Sequence, residues 1–146
     1  VSKSNTFENE LLLHIFNNSD IALIGDATGL RGSSTAGSLY VALHTADPGE
    51  AGTAATSECA YTSYARVAVA RSGAGWTVSG NAVTNAALIQ FPQCTGGSET
   101  VTYFSITPSS SGSSKILYSG ALSASLAVSS GIQPQFGAGE LDGTED

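Results

Sequence analysis

Leu39-Tyr40-Val41-Ala42-Leu43-His44, followed by Thr45-Ala46-Asp47-Pro48-Gly49-Glu50, decides the fold class of this chain. Side chains alternate across a strand, so Leu39, Val41 and Leu43 share one face. Asp47-Pro48-Gly49 stops the strand, because proline presets one turn dihedral and glycine supplies the next. The same rhythm continues outward. Tyr64 to Ser72 alternates, with Ala65, Val67 and Val69 facing inward and Arg66 and Ala68 the other way. Gly73-Ala74-Gly75 turns the chain into Trp76-Thr77-Val78, and Ser79-Gly80-Asn81 turns it again. Ala87 to Phe91 reads as a strand ended by Pro92, and Glu99 to Thr107 as another. Pro108 to Ser114 is a Ser/Gly loop. Ile116 to Tyr118, Leu122 to Val128 and Ile132 to Phe136 complete the series, and Pro134 places the last at an edge. About eight short strands separated by Gly, Pro, Ser and Asn turns predict a mainly β fold, an antiparallel β-sandwich of jelly-roll-like type.

Before the strands the period is helical. Phe7, Leu11 and Ile15 fall four apart and make one stripe, with Leu12 and Phe16 beside it. Asn5 or Thr6 suits the N-cap, Glu8 and Glu10 sit near the positive end, and Asn17-Asn18-Ser19 stops the helix. Such a stripe covers either this chain's own sheet or a neighbouring subunit. Gly25 to Gly37 is a Gly/Ser/Thr connection without the Lys that a phosphate-cradling loop requires. The expected organisation is one domain over residues 1–146: a helix at 5–18, a β-sandwich at 38–141 and an acidic tail at 142–146.

The 146 residues are 12% charged, about half the usual share, and carry a net charge of −7. Lys3, Arg31, Arg66, Arg71 and Lys115 are the only lysines and arginines and form no run. Binding a phosphate backbone or an anionic membrane takes clustered cations, so neither nucleic acid nor membrane is an expected partner. No stretch is apolar enough for a membrane span or a secretory signal, which predicts synthesis and retention in a cytoplasm. Cys59 and Cys94 fit no zinc spacing; they read as two separate buried thiols or as one bridge between neighbouring strands.

Catalysis needs a nucleophile, a base and a group that orients them. His14 lies off the helix stripe. His44, followed by Asp47, is the best acid/base candidate, although a side chain bonding the turn backbone has the same spacing. No Gly-x-Ser-x-Gly elbow, calcium loop or metal-ligand cluster occurs, and Trp76 is the lone tryptophan. The sequence thus predicts no catalytic residue, no cofactor and no metal.

Leu39 to Glu50, Tyr61-Thr62-Ser63-Tyr64-Ala65-Arg66-Val67-Ala68-Val69-Ala70-Arg71, Phe91-Pro92 and Thr95-Gly96-Gly97-Ser98 together resemble a family of small tailed-bacteriophage proteins often labelled phage tail or tail fibre protein. Asn5-Thr6-Phe7-Glu8-Asn9-Glu10 is similar to that family's start, so the resemblance runs nearly the whole length. It implies a non-enzymatic virion component made in the host bacterial cytoplasm, either a tail part or a capsid cement or decoration subunit. Its implied partners are the major capsid protein or tail proteins and further copies of itself. The candidate contacts are Phe7, Leu11 and Ile15 on the helix, Leu30 and Arg31 in the Gly25 to Gly37 loop, and Glu140 and Asp142 near the acidic end. Arg66 is expected either to pair with Glu58 or Asp47 or to lie solvated on its strand. A receptor- or carbohydrate-binding module is the alternative, and it requires an exposed aromatic groove built from Trp76, Tyr61 or Tyr64. A hydrolase would need a cleft joining His44 to a carboxylate.

Overall fold

A computed structural model describes residues 2–26 and 29–145. The chain is mainly β with antiparallel sheets and one N-terminal helix, as alternation and turn chemistry require. Helix α1 spans Asn5–Asn17. Eleven strands follow among the described residues: β1 Ile21–Asp26, β2 Gly29–Leu30, β3 Ser38–His44, β4 Val67–Ala70, β5 Trp76–Ser79, β6 Ala82–Asn85, β7 Ile89–Gln90, β8 Ser98–Thr107, β9 Tyr118–Ser129, β10 Gln135–Phe136 and β11 Asp142–Thr144. The expectation of about eight is therefore corrected upward, chiefly by strands of two to four residues that are too short to show a period. The described residues cluster into two compact units.

The first unit takes the chain up to Ser38, Ala70–Leu88 and the chain from Phe136 on. Ser4, not Asn5 or Thr6, caps α1: its hydroxyl accepts from the Phe7 N–H at 3.3 Å. Asn18, left-handed at φ 57°, ends the helix. Arg71 then satisfies the carbonyls that the helix end leaves open, donating to Ile15 O at 2.7 Å and His14 O at 2.8 Å, and to Ala36 O at 3.1 Å. The buried row of α1 is Glu8, Leu12 and Phe16, one residue round from the expected stripe. Phe16 meets Trp76 edge to face with ring centroids 4.9 Å apart. These side chains share a core with Ile21, Val83 and Leu141. The sheet runs β11-β6-β5. The β5–β6 hairpin closes through a two-residue turn at Gly80-Asn81, where Gly80 takes φ +60°. Asn85, buried at the end of β6, donates to Ala87 O and Gly137 O at 2.8 Å each and accepts from Leu141 N at 2.9 Å. It thereby ties the last segment of chain to the sheet. The expected acidic tail is instead strand β11 over Asp142–Thr144, followed by Glu145, which pairs with Lys3 at 3.1 Å. Asp146 lies outside the described residues.

The second unit takes Leu39–Val69 and Ile89–Gln135. Its main sheet runs β4-β3-β8-β9, with β3 and β8 in register from Tyr40 opposite Thr107 to His44 opposite Tyr103. Leu39, Val41, Leu43, Val101 and Ile106 are buried, as are Tyr61, Ile89 and Phe91. The expected strand at Tyr64 to Ser72 shortens to β4, and its facing is reversed at the start: Ala65 is exposed and Arg66 buried. A tight turn at Tyr61 to Tyr64, with Ser63 at φ 81°, resets the alternation so that Arg66 enters the unit. The expected strands at Ile116 to Tyr118 and Leu122 to Val128 are replaced by one long strand, β9, which begins at Tyr118 and leaves Ile116 and Leu117 outside it.

Candidate functional site

The densest chemistry in the chain sits in the second unit, where residues 57–59 lie beside the end of β3. Thr45 N bonds Ser57 O, Cys59 N bonds Leu43 O, and His44 and Glu58 form an antiparallel bridge. This brings the Glu58 carboxylate to Arg66. Arg66 Nε lies 2.7 Å from Glu58 Oε1 and Nη2 lies 2.8 Å from Oε2, the two-pronged geometry in which guanidinium meets carboxylate most strongly. Of the two partners offered by sequence, Glu58 and Asp47, the structure selects Glu58. The same guanidinium donates to Ser109 O at 3.0 Å and Gly112 O at 2.8 Å, which fixes the Ser/Gly loop. Tyr64 OH donates to Glu58 Oε1 and accepts from Leu43 N, both at 3.0 Å. The Glu58 hydrogen bonds hold the Arg66 pKa above its ordinary value despite burial. Burial, with Glu58 adding to it, pushes the Tyr64 phenol far up. Each polar atom of this cluster is aimed at another.

His44 is fully buried. Its Nδ1 lies 2.8 Å from Thr56 O, an acceptor, so Nδ1 carries the proton and Nε2 accepts from the Ser105 hydroxyl at 2.8 Å. A serine hydroxyl donating to a histidine resembles a nucleophile–base pair. Here Ser105 is as buried as His44, and a backbone carbonyl stands where a carboxylate would orient the ring. Burial lowers the His44 pKa and keeps the imidazole neutral. The His44–Asp47 pairing suggested by spacing does not form, because Asp47 Oδ1 accepts from Gly49 N at 2.8 Å within its own turn.

Both cysteines are buried free thiols, and the bridge that sequence left open is not formed. Cys94 Sγ donates to Gly96 O at 3.3 Å. Burial, then the nearby Glu99 carboxylate, pushes the Cys59 thiol up to about 12. Glu99 caps the chain opposite, accepting from Ala60 N at 2.9 Å and Tyr61 N at 3.1 Å. Among the described residues no cluster of three or more His, Cys, Asp or Glu is placed to hold a metal ion, and no helix is long and apolar enough to cross a membrane.

The residues singled out as partner contacts fall on several surfaces of the first unit. Phe7, Leu11 and Ile15 are half-buried. Leu30 pairs through its backbone with Ile21, and its side chain lies outside what is described. Arg31 is exposed, 3.5 Å from Asp20, whose other oxygen accepts from Gly32 N at 2.6 Å. Glu140 is exposed and accepts from Gly137 N. Asp142 opens β11 opposite Thr84. Sequence reasoning passed over Leu23, which is 93% exposed at φ 65° beside the exposed Ile24. An apolar pair inside Ile21 to Ile24 gives no sign of which side faces water.

The aromatic groove required of a glycan binder is not built from the three residues expected to form it. Trp76 and Tyr61 are buried, and Tyr64 is partly buried between Tyr61 at 5.3 Å and the parallel Phe91 ring at 6.4 Å. No curated protein matches the chain significantly. A family model does match, over residues 2–144, and its description is podophage GP4 fiber I protein gp80. The expected tail-fibre resemblance is thereby shown, and the chain belongs to this family of phage fibre proteins, components of the virion.

Proposed function

We propose that the chain is a non-enzymatic, oligomeric structural subunit of a podophage fibre that binds other virion proteins on the particle exterior. The observation that carries this reading is the commitment of its reactive side chains to one another. His44 with Ser105, and Glu58 with Arg66 and Tyr64, form buried internal bonds. What remains outside is a surface with few charges and many short polar side chains, which lose little side-chain entropy on contact, together with exposed Leu23, Leu88 and Ile132. A fibre address is favoured over capsid cement or decoration by the family's own description. Its partners are then other fibre or tail proteins, and the half-buried Phe7, Leu11 and Ile15 row is the first contact to test. The protein is made in the host cytoplasm and carried away on the particle.

Mass spectrometry of gradient-purified particles, with antibody labelling of intact virions, tests this reading. The expected result is stoichiometric recovery with label on fibres. Absence from particles overturns it.

A further inference from the structure

Strand β9 is the last strand of its four-stranded sheet, at twelve residues the longest among the described residues, and unlike most edge strands it is almost undefended. Edges are ordinarily blunted by charge, by proline or by brevity, since open backbone donors and acceptors invite another strand. The opposite edge, β4, is four residues long. No charged residue occurs from Ile116 to Gly139, and β9 contains no proline. From Ser123 to Ala127 side chains of both pleat directions are exposed, Leu126 among them at 37%. The one defence is a bulge. Ladder pairing with β8 passes from Leu126 opposite Val101 to Ala121 opposite Tyr103, so Leu122–Ser125 stand against Thr102 alone.

That bulge is centred where the sequence becomes its own mirror. Ser119-Gly120-Ala121-Leu122-Ser123-Ala124-Ser125-Leu126-Ala127-Val128-Ser129 reads nearly the same in both directions about Ala124, the exchange of Gly120 with Val128 being the single mismatch. An antiparallel pair of identical strands related by a twofold axis places each residue opposite its mirror position. With the axis at Ala124, Leu122 meets Leu126, Ser123 meets Ser125 and Ala121 meets Ala127, so every one of these pairs is like with like. Charge argues for the same occupant. Two copies of net charge −7 repel, and this uncharged strand is where they can approach without setting carboxylates against each other.

We propose that β9 is a self-association edge: two copies of this chain join their main sheets antiparallel, β9 to β9, about a twofold axis through Ala124. The leucines lie against each other across the joint, and the serines offer hydroxyl–hydroxyl bonds. The outer backbone edge of β9 takes its partners from the second copy.

The test uses cysteine substitutions in the full chain, where Cys59 and Cys94 are buried. Residues opposite each other in an antiparallel pair lie within disulfide reach. Ala124→Cys is expected to give a disulfide-linked dimer under mild oxidation. Ala121→Cys and Ala127→Cys are each expected to associate without a disulfide on their own, since neither faces its own copy across the axis, and to cross-link when mixed. Ala124→Lys, which opposes two cations at the axis, is expected to weaken self-association by roughly a hundredfold or more with thermal unfolding unchanged. Sedimentation showing a monomer at all concentrations, or cross-linking with no preference for position 124, overturns the proposal. Protection of β9 amides in particles but not in the concentrated pure protein assigns the edge to a different virion protein and equally overturns it. The pairing is independent of the fibre address: a dimer absent from particles refutes only the address, and a particle component that never self-pairs refutes only the pairing.

Discussion

Arg66 and Glu58 form a two-pronged ion pair, 2.7 and 2.8 Å, whose cation also holds the Ser109 and Gly112 carbonyls. The Arg66 side chain is 2% exposed and that of Glu58 17%. Removing one member of such a pair strands the other without a counter-charge. Arg66→Met is expected to cost about 3–5 kcal/mol in urea unfolding. Amides of residues 109–114 should also exchange faster with deuterium, and an unchanged loop would show that Arg66 does not order it.

Acid should weaken the fold through His44. Its folded pKa lies below the ordinary 6.5 because the ring is buried. The unfolded chain therefore takes up a proton at this site that the folded chain refuses. The stability that His44 contributes is complete above about pH 6.5 and is lost as pH falls toward the folded value. Denaturant midpoints measured between pH 7 and 5 should fall more steeply for the native protein than for His44→Gln. Parallel slopes would exclude His44 as the source.

Cys59 and Cys94 should be silent toward iodoacetamide at pH 8 in the folded protein and react fully once it is unfolded. Both are buried, and the Cys59 thiol is pushed up to about 12. Intact mass before and after denaturation reads the number of adducts. Alkylation of native protein would mean that the second unit opens locally.

The two rows of α1 should separate stability from association. Leu12→Ala removes a fully buried side chain and is expected to cost about 2–5 kcal/mol. Leu11→Ala, on the half-buried row, should cost clearly less in thermal unfolding and show its effect in assembly into particles.

Arg71→Ala should fray the end of α1, because the His14 and Ile15 carbonyls lose a charged donor. A loss of about 1–2 kcal/mol is expected. Hydrogen exchange should rise in the last helical turn and not in the first.

How far these features were legible in the sequence depended on whether one signal or two met at a position. Asp47-Pro48-Gly49 was readable because residue chemistry and the end of an alternating run coincide there, and the structure puts an Asx bond at that turn. Strand β6 was missed although Gly80-Asn81 announces a hairpin, since Ala82-Val83-Thr84-Asn85 alternates for only four residues and buries an asparagine. The α1 row was misplaced by one residue because Phe7, Leu11 and Ile15 are uniformly apolar, whereas the buried row begins with Glu8, a residue type rarely placed inside. Arg66 is turned outward by an alternation begun at Tyr64, whereas Tyr64–Arg66 lie outside β4, which begins only at Val67, after a turn whose left-handed Ser63 no period can reveal. Its partner Glu58 was named, but the choice over Asp47 needed the bridge between His44 and Glu58.

The first unit gathers its strands from distant parts of the chain: β11 closes against β6, and the buried Leu141 is held to Asn85 at the end of β6. On a ribosome this has a consequence for timing. The four-stranded sheet of the second unit is fully synthesised once Ser129 has emerged, whereas the β11-β6-β5 sheet and the ion pair between Lys3 and Glu145 must wait for residues 142–145. Helix α1, made before every strand of its unit, thus waits through the synthesis of residues 18–141 for β11, and nascent chains stalled short of Leu141 should hold a folded second unit beside an unfinished first.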